Sequence, residues 1–325
     1  MIPLDVRLLR ALRETRVHLP AGDLAEQLGE RADAILARLA ALSAAGFEIE
    51  DRPGFGFLLT AAPDRLIADD LTARLGPCGI AREIVVFEET ESTNEVGTQL
   101  GRQGAPGGLA IFAEHQTSGR GRFGRRWASA SHCGLWFSLL LRPALPEALW
   151  ARLTTWAAVG VAAAIEKSLG AKAVIKWPND VFLGGKKVAG ILAESGSDTN
   201  GCPFAVVGIG VNVNQTAGDF PPELRALAGS LREDTGTAID RSALAAAILR
   251  ALDTRLPLLG EDFGSVIAEA RARSFLLGRW IQVRAGEVVT EGMAEQLDEN
   301  GQLLLRTADG SLTTLFAGEV TVIAR

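Results

Sequence analysis

The sequence predicts an α+β chain in three parts: an N-terminal winged helix-turn-helix, a central mixed α/β domain and a C-terminal SH3-like β-barrel. Three observations predict it. In the first sixty residues two short apolar-striped helices flank Gly29 and run into a hairpin. Between residues 83 and 272, strand-like runs alternate with one long apolar helix and with glycine-rich, cation-rich loops. After Ser274, short alternating strands are punctuated by Ala285-Gly286, Glu299-Asn300-Gly301 and Asp309-Gly310. The expected boundaries are 1–63, a linker over 64–82, 83–272 and 273–325.

The whole chain sets limits on function. At 325 residues, 47% hydrophobic and 22% charged, it has the composition of a soluble globular protein with room for several domains. A net charge of −6 argues against a general nucleic-acid or anionic-membrane binder, so any basic site is local. Cys78, Cys133 and Cys202 are far apart and form no CxxC pair, and the only histidines are His18, His115 and His132. Neither a cysteine-built nor a histidine-built metal centre is expected. Charges break every apolar run of the N-terminus, and the longest run, 157–165, is too short for a bilayer. A cytoplasmic protein with no membrane partner is the expectation.

Leu8, Leu9, Leu12 and Val17 stripe a first helix, Leu24 and Leu28 a second, and Ile35, Leu39 and Leu42 a third, which Gly46 is placed to end. Phe47 to Glu50 and Phe55 to Leu59 make the wing around Arg52-Pro53-Gly54. The scaffold fits DNA binding better than its chemistry does. The recognition-helix position exposes Ala32, Asp33, Ala34, Leu36, Ala37 and Arg38, few of them base readers. Residues 1–63 hold seven Arg and no Lys against nine Asp or Glu, a balance of −2. Either the unit is a packing or dimer-contact domain, or it binds one operator weakly through Arg31, Arg38 and Arg52.

The central domain opens on a strand, Ile84 to Phe87, which leads into Ser92-Thr93-Asn94. These three residues either cap the next helix or hold a small polar ligand. A second strand, Ala110 to Ala113, leads through Gln116 into Thr117–Trp127, TSGRGRFGRRW. There Gly119, Gly121 and Gly124 alternate with Arg120, Arg122, Arg125 and Arg126. Such a loop can wrap its N–H groups and guanidinium forks around a polyphosphate, each charge-assisted bond contributing about 1.5–3 kcal/mol. Without an anion the four cations would repel and stay mobile; a solvated basic loop is the alternative. Gly134–Leu141 is a strand buried on both faces, and Glu147–Leu169 a core helix. In Ala173–Leu183, Lys176, Asn179 and Asp180 sit at a proline-broken strand end, and Gly184-Gly185 turns the chain so that Lys187 returns towards Asp180. That pair is either catalytic or a surface ion pair. Val206–Asn214 is a strand whose Gly208 and Gly210 allow close approach by a ligand, with Asn212 beside them.

In this order and spacing, GRGRFGRRW, KWPNDVFLGGKKVAGILAE and GIGVNVN resemble the catalytic domain of the biotin protein ligases, a fold shared with lipoate ligases. The STN triplet stands where that family has one, and the flanking winged helix and barrel match its bifunctional, repressor-type members. The resemblance implies that Ser92, Thr93, Asn94 and Gln116 bind the ureido ring of biotin, with Gly119, Arg120 and Gly121 closing over it. It implies that Arg120 and Arg122 hold the biotin carboxylate, the phosphates or the adenylate, that Trp127 packs near adenine, and that Lys176 serves the nucleotide. Lys187 would lie between carboxylate and α-phosphate, with Asn179 and Asp180 at the reacting centre, where ATP carries Mg²⁺. Lys187, Arg122 and Asp180 would be the catalytic groups, while Gly190, Gly208, Gly210 and Asn212 line the pocket.

The activity this resemblance implies is ATP-dependent formation of biotinyl-5′-AMP and transfer to a lysine of a biotin carboxyl carrier protein. Operator DNA, already raised by the helix-turn-helix pattern, and a homodimer are further partners the resemblance implies. The alternatives are a lipoate-type acyl ligase and a DNA-binding biotin sensor without efficient ligase activity. Leu244–Leu259 and Phe263–Ala272 continue helical. In the barrel, Gly318-Glu319 either touches the nucleotide or carrier or simply belongs to a stabilising cap.

Overall fold

In the computed structural model, which describes residues 2–260 and 262–323, the chain divides into two units. One comprises Met1–Pro77 with Asp240–Ala246, the other Cys78–Ile239 with Ala247–Arg325.

The first unit holds helices α1 (Leu4–Arg13), α2 (Ala21–Leu28) and α3 (Ala32–Ala44), the hairpin strands β1 (Glu48–Arg52) and β2 (Gly56–Ala61), and helix α4 (Ala68–Leu75). Leu8, Leu9, Leu12, Leu24, Ile35 and Leu39 form one core, as their helical spacing requires. Gly29 ends α2 at φ 65°, a left-handed position where a side chain would be strained. Two expectations change. Val17 lies beyond α1 and is exposed. Residues 64–77, expected as a linker of mixed helical character, carry α4 and belong to the first unit, where buried Asp70 pairs with Arg13 and Arg74. Two consecutive aspartates obscure its apolar stripe, because they read as solvent-facing until their arginine partners are in place.

The second unit is built on a seven-stranded sheet. Along the chain come β3 (Glu83–Thr90), α5 (Thr93–Arg102), β4 (Leu109–Gln116), β5 (Gly134–Leu141), α6 (Arg152–Leu169), β6 (Val174–Lys176), β7 (Asp180–Leu183), β8 (Lys186–Ser197) and β9 (Pro203–Asn212). The sheet order is β3-β4-β5-β9-β8-β7-β6, with β3 and β4 parallel through the α5 crossover and every other pair antiparallel. Strand β5 is buried along its whole length, and α6 buries eleven residues, Trp156 among them. Helices α7 (Leu231–Thr235), α8 (Arg241–Arg255) and α9 (Phe263–Ala272) come next. Strands β10 (Trp280–Ala285), β11 (Val288–Leu297), β12 (Leu303–Arg306), β13 (Leu312–Leu315) and β14 (Glu319–Val322) then form an antiparallel SH3-like sheet, order β13-β12-β11-β10-β14. Among the described residues no helix is long and apolar enough to cross a membrane.

Candidate active site

The sheet delivers its polar residues to one place. A cavity of about 530 Å³ is lined by every ligand-binding residue of the second unit named from the sequence except Gly119, which faces a second hollow lined by the arginine loop itself. The three strand glycines explain why room exists there. A Cβ on Gly208 would stand 2.1 Å from Asn94 Oδ1, and one on Gly210 2.6 Å from the Trp127 ring. Gly190, paired with Gly210 across β8 and β9, would meet Trp127 at 2.8 Å. These glycines hold the floor open for neighbouring side chains.

At one end of the cavity sits the triplet. Ser92 is extended and makes no side-chain capping bond, so the helix-capping alternative is not what these residues do. Thr93 N–H donates to Gln116 Oε1 at 2.8 Å, and Gln116 Nε2 donates to Ser129 Oγ at 3.1 Å. Ser138 Oγ lies 2.7 Å from Thr93 Oγ1 and donates to Asn94 Oδ1 at 2.6 Å. Asn94 Nδ2 in turn donates to Glu194 Oε2 at 2.8 Å and to Leu192 O at 3.3 Å. Asn94 therefore spends its amide on the protein, as a hub that fixes Thr93 and β8. Ser129, Ser138 and Glu194 are absent from the sequence-based site. Strand register brings Ser138 and Glu194 here and the chain after the arginine loop brings Ser129, although Glu194 closes the second quoted motif.

In the structure every arginine of the loop has a partner. Gly121 N–H donates to Arg125 O at 2.7 Å and Trp127 N–H to Gly119 O at 2.8 Å. Arg120 binds Glu194 at 2.9 Å and Glu95 at 3.4 Å, Arg122 donates to Asn179 Oδ1 at 3.1 Å, Arg125 pairs with Glu319, and Arg126 donates to Thr117 O at 3.0 Å. Acids from α5, β8 and β14 answer the expected repulsion at Arg120 and Arg125, while Arg122 and Arg126 bond the neutral oxygens of Asn179 and Thr117. Phe123, at the tip, is held at φ 57° in the left-handed region, under the Arg122 guanidinium.

At the reacting end, Lys187 Nζ lies 2.6 Å from Asp180 Oδ1, as the hairpin predicts, and 5.2 Å over the Trp127 ring. Lys176 is opposite Asp180 across β6 and β7, its amine 5.7 Å from the Phe182 ring centre. Burial pulls the Lys176 amine below the ordinary lysine range, against the opposing pull of Asp180. Burial likewise lowers Arg122, against Asp180 and Glu319. Asn179 Nδ2 is anchored on Ile191 O at 2.9 Å. Asn212 donates to Gly229 O at 3.0 Å and Lys187 O at 3.4 Å, so it pins the 224–229 loop over the cavity beside Lys187. That loop lines the cavity, as do the β14 residues Glu319 to Thr321, and of these walls the sequence marks only Gly318 and Glu319. The result is a cation-lined, glycine-floored cavity with the Asp180 carboxylate in its wall beside Lys187, suited to joining two anions.

Arg31, Arg38 and Arg52 belong to the first unit. Arg31 is bidentate to Asp33 and Arg38 pairs with Asp5 of α1, while Arg52 stacks on Phe55 at 4.4 Å.

Residues 86–214 match the model of the Biotin/lipoate A/B protein ligase family, and residues 276–322 that of the Biotin protein ligase C terminal domain. The chain is 33% identical over 292 residues to the Bifunctional ligase/repressor BirA of Bacillus subtilis, covering 88% of this chain and 89% of that one. It is 34% identical over 247 residues to a Biotin--[acetyl-CoA-carboxylase] ligase of Mycobacterium tuberculosis, covering 74% and 88%. The solved structure of a biotin protein ligase from Aquifex aeolicus in complex with biotin and ATP aligns with a TM-score of 0.64 at 31% identity, covering 75% of this chain and 100% of that chain.

Proposed function

The chain belongs to the biotin protein ligase family, and on that premise we propose that its cavity makes biotinyl-5′-AMP and passes the biotinyl group to a lysine of a biotin carboxyl carrier protein. The single observation that carries the reading is the placement of Lys187, Asp180 and Arg122 around one glycine-floored cavity. In the first step the biotin carboxylate oxygen attacks the α-phosphorus of ATP and pyrophosphate leaves. Two anions must meet, and Lys187 and Arg122 neutralise the charge that develops between them. In the second step the carrier lysine amine attacks the acyl carbon, AMP leaves with the bonding electrons, and Asp180 orients the incoming amine. Thr93 and Gln116, fixed by Ser138 and Ser129, face the ureido end of biotin. Trp127 forms a wall for the adenine.

Among the described residues no cluster of three acidic, histidine or cysteine side chains could hold a metal. Asn179 and Asp180 do provide oxygen atoms at the cavity, which fits Mg²⁺ brought in on the phosphates. When bound it would neutralise phosphate charge. The place of action is the cytoplasm, where ATP and the carrier are available.

A second reading, biotin-responsive repression, is favoured by the winged-helix geometry of the first unit and would take operator DNA as partner. A gel shift with the gene's own upstream DNA, with and without biotin and ATP, tests it.

The ligase reading is tested by biotin-dependent pyrophosphate release from Mg-ATP. The unaltered chain is expected to release it only with biotin. Lys187→Ala and Arg122→Ala are expected to slow release by about 100- to 1,000-fold, the usual effect of removing a group that stabilises transition-state charge. Release that needs no biotin, or survives both changes, would overturn the reading.

A further inference from the structure

The C-terminal sheet contributes one charged group to the arginine loop, and its position gives it a use. Glu319 opens β14, directly opposite Arg284 of β10. A Cβ on the preceding Gly318 would stand 2.4 Å from Val283, so the backbone packs tightly against β10 where it presents Glu319. The carboxylate pairs with Arg125, and both side chains line the cavity at its solvent edge. Arg125 is itself the residue on which the loop closes: its carbonyl receives the Gly121 N–H, and its own N–H bonds back to Arg122 O at 3.2 Å. Arg120 and Arg122, by contrast, reach Glu194 of β8 and Asn179 in the turn before β7.

Given the ligase reading, on which this inference rests, we propose that Glu319 is a positioning residue that holds the arginine loop shut through Arg125, so that the C-terminal sheet retains the reactive adenylate until a carrier lysine arrives. Arg122 stays directed at the phosphates while Arg125 takes the latch. No bond is made or broken by Glu319; it changes how often the loop opens. Both side chains are exposed, at 65% and 38%, and an exposed pair of this kind contributes up to about 1 kcal/mol, a factor of about five in loop opening.

The experiment measures carrier-independent AMP appearance, which reports adenylate that escapes and hydrolyses, together with KM for ATP, in the full chain. Glu319→Gln and Arg125→Gln are each expected to raise escape about three- to five-fold with ATP KM nearly unchanged. The double variant is expected to raise it no further than either single change, because one contact is lost in all three. Additive effects in the double variant would overturn the latch, as would unchanged escape. A rise in ATP KM without escape would also overturn it, since Glu319 would then be touching the nucleotide itself. If the unaltered chain gave no biotin-dependent pyrophosphate, the ligase reading would fail first, a result separate from any of these.

Discussion

Arginines stand in two kinds of place in this chain. In the loop 117–127 they are held by partners from distant elements, Glu194 of β8, Asn179 before β7 and Glu319 of β14, arranged around a cavity. On the winged helix they are tied off by acids of the same small unit, Asp33 two residues along and Asp5 on α1. The exposed face of α3 otherwise offers Ala32, Leu36, Ala37, Ala40, Ala41, Ser43 and Ala44, of which only Ser43 is polar. In the first arrangement Arg120 and Arg125 are paired with acids too, but Arg122 donates to the neutral amide of Asn179 and so keeps its charge at the cavity where two anions must meet. The second cancels it at the surface where phosphates of DNA would approach. A scaffold thus marks where a ligand would sit, while the pairing of its charges says whether the site is equipped for one.

The largest effect should come from filling the cavity floor. Gly210→Ala puts a Cβ within 2.6 Å of Trp127. Overpacking there should destabilise the second unit by about 1–3 kcal/mol and weaken biotin binding at least about tenfold, read by thermal melting and calorimetric titration. Unchanged binding would break the catalytic half of the comparison. Next comes Ser138→Ala, which leaves Thr93 and Asn94 without their shared hydroxyl. It should cost about 1–2 kcal/mol in stability and raise KM for biotin several-fold with little change in kcat. A fall in kcat alone would remove Ser138 from the biotin end. The smallest effect concerns the winged helix. Asp5→Asn with Asp33→Asn frees Arg38 and Arg31 and should strengthen DNA retention at low salt, steepening its salt dependence by at most about two phosphate contacts. If the unaltered chain already bound its upstream DNA tightly at physiological salt, the contrast between the two regions would be wrong.

Much of the fold and of the site is legible in the residues themselves. The helical stripes of the first unit, the buried strand β5 and the Gly184-Gly185 turn that carries Lys187 back to Asp180 are local patterns, and the chain obeys them. What stays hidden depends on partners far along the chain. The order of the arginine loop needs Glu194, 74 residues beyond Arg120, and Glu319, further still. Helix α4 looks like linker because Asp70 is buried only in company with Arg13 and Arg74. The bond that Asn94, at the cavity wall, accepts from Ser138 is hidden too, because nothing near it in sequence announces that hydroxyl.

The measurement that tests the ligase account most directly offers biotin and lipoate together, with Mg-ATP, to the full chain and a biotin carboxyl carrier domain, and weighs the carrier by mass spectrometry. The account predicts one biotin per carrier on a lysine, only when ATP is present, and no lipoate. A carrier bearing lipoate, or left unmodified while adenylate accumulates, would contradict it.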